Sequence, residues 1–146
     1  GLEQVEFMVA GHAGVQARPL AKVASGGELA RISLAISVIA SAATATPTLI
    51  FDEVDSGIGG GVAEVVGRLL KRLGQDRQVL CVTHLPQVAS QANHHFEVSK
   101  SQDDGKTTSH IAALDQKQRV EEIARMLGGI EITATTRKHA RELLAL

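Results

Sequence analysis

The spacing of apolar side chains predicts a helix between two buried strands in the middle of the chain. Between residues 62 and 73, apolar side chains recur every three or four positions, the period of an amphipathic helix with one face on a core. Short apolar runs without charged residues precede and follow it, at residues 48–51 and 79–83. Such runs are typical of strands buried on both faces. The order predicts a βαβ unit, with Gly74 ending the helix.

Weaker patterns flank this unit. On its N-terminal side they predict a strand, a glycine-containing turn, an extended segment and a helix, at residues 5–10, 11–14, 19–24 and 29–43. That helix is apolar nearly all round, so we expect it to be buried. On the C-terminal side the patterns predict a short helix, two hairpin strands and two closing helices, at residues 86–92, 95–100, 107–114, 120–127 and 136–144. The whole pattern predicts an α/β fold in which helices flank a mostly parallel sheet.

Composition narrows the function classes. The 146 residues suit one domain, and because the chain has no Trp or Tyr its core must be built from aliphatic side chains. The low aromatic content argues against a base-stacking platform for single-stranded nucleic acid. The net charge of −1 shows no excess of basic residues that would indicate DNA binding. Cys81 is the only cysteine, which favours a reducing compartment. No apolar run is long enough for a membrane span, so we expect a cytoplasmic protein without a membrane partner.

The first candidate site is the run Ser25, Gly26, Gly27 and Glu28, which opens the predicted helix. Two glycines let backbone N–H groups approach an anion, and the helix N-terminus adds partial positive charge. Ser25 adds a hydroxyl donor. Ser25 and Glu28 also fit a capping box, so an ordinary capped helix is an equally good interpretation of these four residues alone.

The second candidate site combines the ends of the two central strands. Asp52 and Glu53 follow the first strand, at the edge where ligands bind in open α/β sheets. Asp52 would hold Mg²⁺ and Glu53 would orient and polarise an attacking water. His84 follows the second strand and could contact a γ-phosphate or that water. The alternatives are two solvated acids and a structural histidine.

The order of these motifs resembles the ABC ATPase family. In that comparison residues 24–28 are the signature motif, 49–53 the Walker B strand, 54–57 the D-loop, and His84 the switch histidine. The resemblance implies that ATP and Mg²⁺ are the cofactors. It implies nucleotide contacts for Ser25, Gly26, Gly27, Glu28 and Asp55, metal binding for Asp52, and catalytic roles for Glu53 and His84.

Finer details resemble one branch of that family. Glu28 ends the signature, and Val54 rather than proline follows Glu53, as in the SMC, RecF and RecN branch. Four longer stretches are similar to the RecN family, at residues 22–29, 50–60, 82–89 and 123–129. This resemblance implies DNA double-strand-break repair, DNA as a partner, and a nucleoid-associated location in the bacterial cytoplasm.

The chain has no G-x-x-x-x-G-K-[ST] phosphate loop. In RecN-like proteins a long coiled coil splits the head, and the phosphate loop lies in the N-terminal half. Residues 1–146 are therefore expected to be the C-terminal half of a split ABC ATPase head, cut from a longer chain. The N-terminal lobe and a second copy of the head, in a homodimer, are the expected partners, with the signature acting in trans. The isolated chain is expected to neither bind ATP tightly nor hydrolyse it.

Two other functions compete with this interpretation. The ATPase subunit of an ABC transporter would share most of the site chemistry, but Glu28 and Val54 argue against it. A non-enzymatic interaction domain with vestigial motifs is disfavoured by the intact acidic pair and His84. Arg31 is interpreted as a salt-bridge partner, with a contact in trans to nucleotide or DNA as the alternative. The remaining histidines lack metal-ligand spacing and are given structural or surface roles: His12, His94, His95, His110 and His139.

Overall fold

The computed structural model describes residues 3–10, 13–22, 32, 35–36, 38–40, 46–52, 55, 57–103, 105–128 and 131–146. Its strands are β1 (Met8–Val9), β2 (Arg18–Pro19), β3 (Thr48–Phe51), β4 (Gln78–Cys81), β5 (Phe96–Asp103) and β6 (Lys106–Ala113). Its α-helices are α1 (Gly60–Leu73), α2 (Pro86–Ala89), α3 (Gln116–Gly128) and α4 (Ala134–Leu143). A 3-10 turn covers Leu20–Lys22, and the described residues between 32 and 40 are helical.

The predicted βαβ unit is confirmed. β3 and β4 pair in parallel from Thr48 opposite Gln78 to Phe51 opposite Cys81, and α1 connects them. The amphipathic face of α1 supplies a core of four buried residues, Ala63, Val66, Leu70 and Val88, which we call the first core. Gly74 is the C-cap residue of α1, as predicted, and its backbone N–H makes the last bond of the helix, to the Leu70 carbonyl at 3.0 Å.

The predicted hairpin is also confirmed, but it is longer than its apolar run. β5 and β6 pair antiparallel from Phe96 opposite Ala113 to Asp103 opposite Lys106. The tip is polar, and the backbone ladder continues there without apolar side chains, through Ser101 opposite Thr108 and Gln102 opposite Thr107. Among the described residues β1 and β2 are antiparallel too, so only the β3–β4 pair meets the expectation of a mostly parallel sheet.

The closing helices α3 and α4 form a second core. Ile123, Ala124 and Ala140 are fully buried there, and Ala89 and Val120 complete the cluster. The Thr133 hydroxyl caps α4 by accepting a hydrogen bond from the backbone N–H of Thr136 at 3.1 Å. None of the helices described here is both long and apolar enough to cross a lipid bilayer.

The prediction that the central strands are buried on both faces is wrong for one face. Side chains alternate along each strand, and α1 covers the face that carries Phe51 and Cys81. On the other face Ile50 is 71% exposed, Leu80 43% and Val82 60%. Ile36 and Ile39 of the helical segment are also exposed. The physical reason is that nothing in the described part of the chain packs on this second face, which we call the open apolar face.

Close contact between α1 and α2 depends on Gly67. A Cβ atom there would lie 2.8 Å from Gln91 Cγ, 3.1 Å from the Gln87 carbonyl oxygen and 3.2 Å from Val88 Cα. We therefore expect Gly67→Val to destabilise the chain by about 1–3 kcal/mol through overpacking. Gly61→Val is the matched control, because a Cβ there meets nothing within 4 Å. Urea unfolding should show the loss for Gly67→Val alone, and equal midpoints for the two variants would contradict this account.

Candidate functional site

Parallel pairing brings two of the predicted site residues to one edge of the β3–β4 sheet. Asp52 follows β3 directly and is exposed. The ladder continues one step past the strands, because the Val82 N–H donates to the Phe51 carbonyl at 2.8 Å. The loop carrying His84 therefore leaves the sheet beside Asp52, at the carboxyl edge that the sequence predicted.

The centre of this edge is the buried carboxylate of Asp55, which is 1% exposed. Its Oδ2 atom accepts hydrogen bonds from the Thr83 hydroxyl, the His84 backbone N–H at 2.8 Å and the Leu85 backbone N–H at 3.2 Å. The Nδ1 atom of His84 lies 3.1 Å from the same oxygen. Asp55 thus ties the segment after β3 to the loop after β4.

The charge of Asp55 follows from these contacts. Burial by itself raises the pKa of the Asp55 carboxyl, but the hydrogen bonds from Thr83 and from the His84 backbone outweigh burial, so its pKa is lowered from the ordinary value. Asp55 is therefore an anion at neutral pH. The His84 side chain is 74% exposed, so most of its ring remains open to solvent although Nδ1 faces Asp55.

Cys81 lies at the same edge and was not singled out by the sequence. Burial, followed by the charges of Asp55 and Asp52, raises the pKa of its thiol to about 11. The thiol is therefore protonated at neutral pH and is a poor nucleophile.

Several predicted site residues lie outside the described residues: Ser25, Gly26, Gly27, Glu28 and Glu53. Their assigned roles stay predictions, as does the nucleotide contact assigned to Asp55, whose carboxylate faces the His84 loop. Sequence reasoning gave no role to the Thr83 hydroxyl. No local signal marks it, because its partner Asp55 is 28 positions away and meets it only through the β3–β4 pairing.

Asp52 is the residue of this edge that could bind a metal ion. Among the described residues no group of three or more His, Cys, Asp or Glu side chains could enclose a metal ion. Mg²⁺ in phosphate sites needs less, since it is held by one or two carboxylates together with water and phosphate oxygens. An exposed Asp52 at a strand end fits that role as one ligand.

Comparisons with solved structures define the class of fold. A chain solved in a study of ATP-driven dimerization and DNA-stimulated activation of SMC ATPases matches with a TM-score of 0.66 and 21% identity, over 82% of this chain and 71% of its own. The Smc head domain of Pyrococcus yayanosii, solved with a coiled coil and joint, matches with a TM-score of 0.63 and 23% identity, over 76% of this chain and 20% of its own. The SMC head domain of Thermotoga maritima matches with a TM-score of 0.54 and 29% identity, over 70% of this chain and 37% of its own. The chain has the fold of a lobe of an SMC ATPase head.

Comparisons with curated proteins identify the relatives within that class. The chain is 54% identical to DNA repair protein RecN of Xylella fastidiosa (strain 9a5c) and of Vibrio cholerae, over 144 residues in each case. It is 43% identical to RecN of Bacillus subtilis, also over 144 residues. These matches take in 99% of this chain but only 25–26% of each relative, so the chain spans about a quarter of their length.

The chain is similar to RecN over nearly its whole length, as its motifs indicated. No family model matches it. The transporter alternative is not favoured, since the relatives and the solved structures reported above are RecN proteins and SMC heads.

Proposed function

We propose that residues 1–146 form the C-terminal lobe of the ATP-hydrolysing head of a RecN-like protein that repairs DNA double-strand breaks in the bacterial cytoplasm, at the nucleoid. The observation that carries the proposal is the sheet edge where Asp52 and the His84 loop meet. The similarity of the chain to RecN over nearly its whole length supports the same function. We call the longer protein that carries this chain the parent protein.

The mechanism assigns one task to each residue of this edge. Asp52 is exposed at the end of β3 and would hold Mg²⁺. Bound Mg²⁺ supplies positive charge that offsets the charge of the phosphates during transfer. Glu53, the next residue, orients the attacking water and polarises it. His84 contacts the water or the γ-phosphate with the part of its ring that is open to solvent.

The remaining parts of the site come from partners. The sequence has no phosphate loop, so an N-terminal lobe must cradle the phosphates. The open apolar face supports such a lobe, because Ile50, Leu80 and Val82 lose contact with water when another layer packs on the sheet. Ser25, Gly26, Gly27 and Glu28 would close over ATP held by a second head in a homodimer. DNA as a partner rests on the similarity to RecN.

Phosphate release from ATP tests this function. The parent protein should hydrolyse ATP in the presence of Mg²⁺, and Asp52→Ala should abolish the Mg²⁺-dependent rate. The isolated 146-residue chain should show no turnover above a protein-free blank, because no phosphate loop holds the nucleotide. An inactive parent protein would contradict the function, and turnover by the isolated chain would contradict the need for a second lobe.

A further inference from the structure

A pocket lies at the base of the hairpin, where β5 and β6 meet the start of α3. Its volume is about 370 Å³, within the range of small-molecule sites. The hairpin ladder continues into its wall, because the Leu114 N–H donates to the His95 carbonyl at 2.9 Å. Regular secondary structure therefore frames this concavity, which we call the hairpin pocket.

Arg119 brings a positive charge to the hairpin pocket. Its Nη2 atom donates to the Ala92 carbonyl at 2.6 Å and its Nη1 atom to the Asn93 carbonyl at 3.3 Å. The Nε atom is buried and has no hydrogen-bond partner in the part of the chain that the structure describes. A guanidinium has five N–H donors, so two carbonyl oxygens leave Arg119 with donors to spare.

The charge of Arg119 also differs from that of other arginines in its surroundings. Arg68, Arg125 and Arg137 each pair with a glutamate. Arg119 donates to backbone carbonyls instead, and of the described residues none that lines the hairpin pocket is acidic. Burial lowers the pKa of the Arg119 guanidinium, because the charged form loses contact with water. A partly buried charge of this kind is stabilised by a counter-ion.

The neighbouring His95 adds no second charge. Burial, followed by the charge of Arg119, lowers the pKa of the His95 ring, although Glu122 and Glu97 act in the opposite direction. Glu122 is itself held by Arg125, in hydrogen bonds of 2.7 and 2.6 Å. His95 is therefore neutral at neutral pH, and the permanent charge of Arg119 matches an anion with a single negative charge.

Apolar residues complete the lining of the hairpin pocket, among them Phe96, Leu114 and Leu144. A bare oxyanion such as phosphate would leave this apolar surface in contact with water. A ligand that carries an apolar group beside its charge would cover it, which is favourable. The lining therefore indicates both parts of the ligand, an anionic head and an apolar body.

We propose that the hairpin pocket binds a small carboxylate that carries an apolar group, with Arg119 as the counter-ion of the carboxylate. A carboxylate has one negative charge, and its oxygens accept the N–H donors that a guanidinium offers. The site goes beyond the ATPase function proposed above, because it is built from the hairpin, α3 and the residues that follow α4.

Three probes test the class of ligand on the parent protein. Benzoate has both the charge and the apolar group, benzyl alcohol has only the apolar group, and inorganic phosphate has only the charge. Saturation-transfer NMR should show benzoate binding with a Kd on the order of 1 mM. Benzyl alcohol should bind at least about tenfold more weakly, and phosphate should displace benzoate only at about tenfold higher concentration. Equal binding of either probe, or no binding of benzoate, would overturn the inference.

Gln116→Glu tests the location of the site. Gln116 is exposed at the start of α3 and lines the hairpin pocket. Glutamate has nearly the same shape and suits the first turn of a helix, so the fold should be retained. Its charge should weaken benzoate binding at least about tenfold. Gln75→Glu, in the exposed turn after α1, is the matched control and should bind benzoate as wild type does. Wild-type binding by Gln116→Glu would overturn the location.

Arg119→Met tests the counter-ion. Methionine keeps an unbranched side chain and removes the charge, so benzoate binding should again fall at least about tenfold. The substitution also removes the hydrogen bonds to Ala92 and Asn93, so urea unfolding must show that the variant is folded. Full binding by a folded Arg119→Met would overturn the inference, and Gln116→Glu decides the matter if Arg119→Met does not fold.

These results separate the inference from the proposed function. A parent protein that hydrolyses ATP but does not bind benzoate contradicts only the hairpin pocket. A parent protein that binds benzoate but does not hydrolyse ATP contradicts only the proposed function.

Discussion

Glu53→Gln in the parent protein is expected to slow ATP hydrolysis about 10²–10⁴-fold while nucleotide binding is retained. The amide keeps the size and much of the hydrogen bonding of the carboxylate, but it cannot polarise the attacking water as a base does. Because the stalled protein keeps its ATP, engaged head dimers should accumulate. Phosphate release measures the first effect, titration with labelled ATP the second, and light scattering the third.

Glu64→Gln is a suitable control for this variant. Glu64 lies on the exposed side of α1 and pairs with Arg68 one turn away, so the same substitution there changes charge without touching the sheet edge. It should leave turnover unchanged. If Glu53→Gln instead prevented ATP from binding, the role assigned to Glu53 would be wrong.

Ile50→Lys should have little effect on the isolated chain and a large effect on the parent protein. In the isolated chain Ile50 is exposed, so the substitution should change the free energy of unfolding by no more than about 0.5 kcal/mol. In the parent protein an N-terminal lobe packed on the open apolar face would bury the lysine, and an unpaired buried charge costs about 3–5 kcal/mol. The lobes should then separate, and ATP turnover should be lost.

Two measurements check this contrast. Urea unfolding gives the stability of the chain, and co-purification of a separately expressed N-terminal lobe gives the assembly. Gln75→Lys adds the same charge to the exposed turn after α1 and should affect neither. If the Ile50→Lys parent protein assembled and hydrolysed ATP normally, the open apolar face would not be the contact between lobes.

Local periodicity predicted most of the described elements. The hydrogen bonds of a helix are local, and the strands pair in a simple register. The three-to-four-residue spacing in α1 and the short apolar runs of β3 and β4 each required only neighbouring residues. Burial was harder, because an apolar run such as that around Ile50 indicates that a side chain can be buried but not which layer covers it. The exposed isoleucine is where the sequence pattern and the described residues disagree.

The site was predicted in its order but not in its contacts. Asp52 and His84 could be placed at one edge because parallel strands end together. The hydrogen bond from Thr83 to Asp55 could not, since it depends on the path of two loops and on the register of β3 against β4. The nucleotide contact that the family motif assigns to Asp55 stays a prediction, and the burial of its carboxylate against the His84 loop was not predicted.

The single turn of α2 has a consequence for cooperativity. Val88 packs in the first core and its neighbour Ala89 in the second, so two units of the fold meet at adjacent residues. Units of this kind can open separately, with different free energies. The His84 loop enters α2 at that boundary, since the Leu85 carbonyl accepts the backbone N–H groups of Val88 and Ala89. Partial unfolding of the closing helices would therefore reach the His84 loop through one helical turn, even while the βαβ unit stayed intact.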